Sequence, residues 1–191
     1  KMELKTNPNM YFNGADGVHY LRISDHSYQL IFGESKVYSD LMAGISAALT
    51  SIKKFKTDAI KDDTTGALRG ITFERGLINA HLLQETFSEE ERAFVKSLIY
   101  PKASNPYSVD TAFAVFVLFN VAIPSEKKKL GNNEYRDWLF ESLKSAINAN
   151  ITEIYAKISR RNLDGHNFYF YLVPFENLDS AQEEVLKGAL Q

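Results

Sequence analysis

The chain has 191 residues, 45% of them hydrophobic, which is enough for one sizeable core and leaves little room for two. A formal net charge of -2 excludes a strongly basic, purely electrostatic nucleic-acid binder, and the absence of cysteine excludes disulfides and thiolate metal sites. No apolar run approaches the ~20 residues that span a bilayer, so no membrane association and a cytoplasmic location are expected.

Residues 1–16 read as an irregular lead-in, with Asn7-Pro8 and Asn13-Gly14 as turn signals. The chain begins Lys1-Met2, and structured-looking sequence is reached by Met10, so either Lys1 is a tag remnant before the start methionine or an upstream segment precedes this stretch. VHYLRI (18–23) is strand-like by its β-branched and aromatic content, and YQLIFGESKVY (28–38) is a second strand. The polar turn between them is short, so the two form a hairpin. Ser39 or Asp40 then caps a helix whose apolar residues, Leu41, Ile45, Leu49 and Ile52, recur with the helical period. Lys53, Lys54 and Lys56 fall in its last turns, where cations suit the negative end of the helix dipole.

Residues 57–100 begin polar and irregular and become helical in ERGLINAHLLQETF and SEEERAFVKSLIY. KASNPYS (102–108) is a loop. DTAFAVFVLFNVAIP (110–124) is apolar on both faces, as a covered central strand would be. A solvated loop, SEKKKLGNN (125–133), precedes a long helix over 134–161. Another strand follows over 164–177, and a short helix over 179–190 closes the chain. Strand and helix alternate, which predicts an α/β fold with a mixed central β-sheet flanked by helices in a single domain over 1–191.

Alternation along residues 28–38 puts Tyr28, Leu30, Phe32, Glu34, Lys36 and Tyr38 on one face. That face is apolar for three positions and then turns to acid and base. A charge on a sheet face is expensive unless it is paired, bound to metal or at an exposed end. The preceding strand begins at Asp16. If the hairpin turn centres on Asp25, Asp16 faces Glu34; if it centres on His26, Asp16 faces Lys36; a centre between them puts Asp16 on the other face. In either of the first two registers Asp16, Glu34 and Lys36 cluster at one end of one face. Two carboxylates at that spacing can hold a hard divalent cation through oxygen, and a lysine beside them can orient the attacking water. That combination suits phosphodiester hydrolysis.

Asp16, then a strand bearing Glu34-Ser35-Lys36, then a helix, resembles the D…(D/E)-x-K core of the PD-(D/E)xK nuclease superfamily. More closely, the run from HYLRI through QLIFGESKVYSDL to SIKKF resembles the C-terminal nuclease domain of the HamA/AbpA antiphage family, effector subunits of Hachiman-type defence. The resemblance is carried by residues 16–56 and implies a restriction-endonuclease-like fold. It implies a Mg²⁺-dependent (or Mn²⁺-dependent) DNase, with DNA as substrate, acting beside a helicase partner. Asp16 and Glu34 would be metal ligands and Lys36 the catalytic lysine. Ala15 stands where the superfamily motif has proline, and the acidic residue that many members carry on an earlier helix would lie upstream of this chain.

Glu-x-Lys is common: with each residue near ~6% of usage, about one match per chain of this size arises by chance. The sequence has Glu3/Lys5, Glu34/Lys36 and Glu126/Lys128, and only the middle pair sits on a strand that leads into a helix. The plain alternative is a salt bridge at an exposed strand end, in a non-catalytic module that docks a helicase or another defence partner. Lys53, Lys54 and Lys56 are candidate phosphate contacts, with a solvated helix face as the alternative. Lys127 to Lys129 and Arg160-Arg161 are read in the same two ways.

Overall fold

The computed structural model describes residues 16–61, 66, 68–72, 75, 89, 93 and 107–189. Strand β1 (Gly17–Arg22) and strand β2 (Ser27–Tyr38) form the expected hairpin. Paired residues run from Gly17↔Gly33 to Arg22↔Tyr28, so their indices sum to 50 and the turn centres on Asp25. The Arg22 guanidinium donates to Asp25 at 3.0 Å and helps hold that turn.

Helix α1 (Leu41–Lys56) starts where the Asp40 carboxylate accepts the Ala43 N–H at 2.7 Å. This answers one of the four unsatisfied donors of a helix N-terminus. Two short strands, β3 (Ile60–Lys61) and β4 (Leu68–Arg69), pair antiparallel in the stretch read as irregular. Gly66 between them has φ of 68°, a conformation glycine adopts without strain. The helices expected over ERGLINAHLLQETF and SEEERAFVKSLIY lie largely outside the described residues.

Strand β5 (Ser108–Asn120) is followed by a helical turn over Lys127–Lys129 and by helix α2 (Asn132–Ser159). Strand β6 (Asn167–Phe175) and helix α3 (Leu178–Ala189) complete the chain. The sheet order is β1-β2-β5-β6. Ser108 donates to His26 O at the strand starts and Asn120 to Ser39 O at their ends, so β2 and β5 run parallel beside the antiparallel hairpin. The fold is α/β with a mixed four-stranded sheet flanked by helices.

The chain divides into two compact units, one of residues 1–34, 50–114 and 165–169, the other of 35–49, 115–164 and 170–191. The first is built on aromatic packing. Phe32 meets Phe55 with ring centroids 4.9 Å apart, and Phe113 meets Phe168 at 5.6 Å. Its buried polar side chain, Gln29, accepts the Tyr169 hydroxyl at 2.6 Å, as a buried amide must. In the second unit Ile45, Leu49, Val117 and Phe119 are buried, and Gly44 lies against Val117. There the Arg161 guanidinium donates to the Ser46 hydroxyl at 2.9 Å, joining the end of α2 to α1. The Asn120 side chain accepts the Leu178 N–H at 2.9 Å and caps α3.

Candidate active site

Along β2, Tyr28, Leu30 and Phe32 are buried, Glu34 and Lys36 are half-buried, and Tyr38 is exposed. The acid and the base thus appear where the strand leaves its apolar packing, and their polarity follows from that position.

Asp16 is an exposed residue at the open end of the hairpin. Its backbone N–H donates to the Gly33 carbonyl at 2.8 Å, which fixes its main chain beside the residue preceding Glu34. The paired residues end at Gly17↔Gly33 with an index sum of 50, the value for which the sequence sets Asp16 toward Glu34 and not toward Lys36. Asp16 and Glu34 belong to the first compact unit, and Lys36 follows two residues on along the same strand. Among the described residues no group of three or more His, Asp or Glu side chains gathers as a metal site would.

The donor set still suits a particular ion. Mg²⁺ is commonly held by one or two carboxylates, with waters and substrate phosphates in its other positions. Two carboxylates at an exposed strand end fit that pattern. They would not satisfy an ion that needs a closed cage of protein ligands.

Lys53 and Lys54 are exposed on the last turns of α1, and Lys56 is half-buried. Of the other basic candidates, Lys127, Lys128 and Arg161 are engaged within the fold, and Lys129 and Arg160 are exposed. Lys127 lies 5.9 Å from the Trp138 ring centroid, Lys128 pairs with Glu176, and Arg161 holds Ser46. The two glycines facing each other at Gly17 and Gly33 drew no attention as sequence. Their only signal was that their indices sum to the register value.

A family model for HamA matches residues 1–189. The chain belongs to the HamA family. Membership places this HamA-family chain among antiphage defence proteins. Comparison with curated proteins and with solved structures found no match. No helix among the described residues is long and apolar enough to cross a membrane.

Proposed function

We propose that this HamA-family chain is a metal-dependent DNA nuclease, the effector of an antiphage defence system that works beside a helicase partner. The observation that carries the reading is the hairpin register, which brings the start of β1, with Asp16, to the Gly33–Glu34 end of the ladder. In the reaction the Asp16 and Glu34 carboxylates would hold Mg²⁺ or Mn²⁺. When bound, such an ion polarises a phosphate oxygen and stabilises the charge that develops on it. Lys36 orients the attacking water with its ammonium group and offers a positive charge to the pentacovalent phosphate. The water oxygen bonds to phosphorus, the P–O bond to the leaving sugar oxygen breaks, and the proton lost by water is balanced on the leaving oxygen. Lys53, Lys54 and Lys56 would meet the phosphate backbone.

A second reading has its own observation. Val37, Phe116 and Tyr171 are exposed apolar residues in the second unit, with the Phe116 and Tyr171 rings stacked 6.1 Å apart. Exposed apolar surface of this kind suits a docking module.

Cleavage of linear and plasmid DNA with Mg²⁺, with and without EDTA, separates the two. Cutting is expected in the wild type and lost with EDTA. Glu34→Gln and Lys36→Ala should each lower the rate by about 100-fold or more, the scale of removing one positioned catalytic group. Circular dichroism should show both variants folded. Cutting that persists in both folded variants would overturn this site. Absence of metal-dependent cutting, alone and with the helicase partner, would favour the docking module.

A further inference from the structure

Helix α2 carries an apolar stripe that the fold covers at one end and leaves open along the rest. At 3.6 residues per turn, Phe140, Ile151 and Ile158 fall on one line, with Lys144, Ile154 and Tyr155 close beside it. Ile154 and Ile158 are buried, and at that end Arg161, just past the helix, bonds to Ser46 of α1. The remainder of the stripe lies in water. Phe140 is 62% exposed, Ile151 41% and Tyr155 66%. Apolar surface in a continuous row of this kind marks an interaction site, which singly scattered residues do not.

The stripe is narrow, as a helix-pairing seam is, and unlike the broad face a helix packs on a core. The charge in its middle is already balanced. Lys144 Nζ lies 3.6 Å from the Glu141 carboxylate and 6.0 Å from the Phe140 ring centroid. Its stem can lie along an apolar partner while the ammonium stays at the rim. The seam is also complementary to itself. In an antiparallel pair of α2 helices that sets Phe140 against the partner's Tyr155, the same index sum brings Lys144 to the partner's Ile151. The exposed carboxylates of Asp137 and Glu141 then come opposite the exposed hydroxyls of the partner's Ser159 and the partner's Thr152. Parallel pairing would set Lys144 against Lys144 and Glu141 against Glu141, and like charges so placed are costly.

We propose that the open stripe of α2 is a self-association surface, on which a second copy of this chain docks its own α2 in the antiparallel sense. The contact is isologous, each copy giving and receiving the same residues. Two aromatic rings, an isoleucine and a lysine stem per copy cover less than the ~800 Å² per partner of a standard interface. The dimer is therefore weak, with a Kd on the order of 10–100 μM. The surface is independent of the nuclease reading, because it shares no residue with Asp16, Glu34 and Lys36.

The test is sedimentation velocity on the full chain at concentrations from about 1 to about 300 μM, a span that brackets the expected Kd. The average mass should rise from one chain toward two. Phe140→Glu, shown folded by circular dichroism, should weaken association at least ten-fold. The chain has no cysteine, so a single introduced one reports geometry. Asn148 lies near the centre of the antiparallel pairing, where the same position of both copies meets, while Phe140 lies far from its counterpart. Under mild oxidation Asn148→Cys should link into a dimer at least ten-fold faster than Phe140→Cys.

A wild type that stays monomeric over the whole range would overturn the proposal and leave the stripe to a helix of another protein. Undiminished association of folded Phe140→Glu would also overturn it, since the contact would then lie elsewhere. Equal linking rates of the two cysteine variants would rule out the antiparallel arrangement.

Discussion

Gly70 and Gly44 show how a single hydrogen in place of a methyl decides local packing. A Cβ at Gly70 would sit 2.3 Å from Phe55 O and 2.6 Å from Asp58 Cα, both backbone atoms with nowhere to go. A Cβ at Gly44 would sit 2.6 Å from Val117 Cγ1, a side-chain atom that can shift. Overpacking of this kind destabilises by about 1–3 kcal/mol. Gly70→Ala should fall at the upper end and Gly44→Ala at the lower, read as midpoints of urea unfolding. The same neighbourhood contains Asp58, held at φ of 50° while its carboxylate accepts the Thr72 N–H at 2.9 Å and the Thr72 hydroxyl at 2.6 Å. Asp40→Ala removes the cap of α1 and should cost about 1 kcal/mol in the same measurement, with Asp40→Asn retaining most of it.

At the scale of elements, β5 shows how a uniformly apolar strand is used unevenly. Phe113, Val115, Val117 and Phe119 form one buried row, while Phe116 on the other row is 38% exposed. Phe113→Ala should cost about 3–5 kcal/mol, as truncation of a buried aromatic does. Phe116→Ala should cost less, because more than a third of its surface already faces water. Thermal unfolding of the two variants side by side checks the contrast. The end of α2 is tied to α1 by Arg161, which donates to Ser46 and also to Lys157 O at 3.0 Å. Arg161→Lys keeps the charge and loses the planar fork, so it should destabilise nearly as much as Arg161→Ala. Equal stability of wild type and Arg161→Lys would show that charge alone sufficed.

At the scale of the whole molecule, a net charge of -2 limits what the chain does with DNA by itself. With Lys127, Lys128 and Arg161 engaged in the fold, the lysines of the last turns of α1, Lys129 and Arg160 are the remaining basic candidates among those read from the sequence. Three phosphate contacts would give a log–log salt slope of about -3. DNA binding by this chain should therefore be weak, lose affinity with salt less steeply than that of a protein making about 6–10 phosphate contacts, and flatten further when Lys53, Lys54 and Lys56 are changed together to alanine. A steep slope in the wild type would mean that other cations carry the contact. Weak intrinsic affinity would suit an effector whose access to DNA is supplied by a partner.

The hairpin, the Asp40-capped helix, the long helix and the last strand and helix were legible because each is encoded within a few turns or rungs of chain. Periodicity, caps and turn residues act locally, so their signals survive in a linear reading. The acid–base pair at the end of β2 was legible for the same reason, since strand alternation places Glu34 and Lys36 on one face without reference to the rest. Register was not. Turn centres at Asp25 and His26 were both compatible with the residues, and only cross-strand pairing selected the first. The bond from Asp16 N–H to Gly33 O, the two-residue strands β3 and β4, and the engagement of Lys128 and Arg161 likewise depend on partners far along the chain. Such contacts form only when loop closure brings distant segments together, and no local pattern records which partner wins. The sequence by itself determined the elements and the chemical character of the strand end; the tertiary structure decided which backbone stands opposite it and which basic side chains are engaged within the fold.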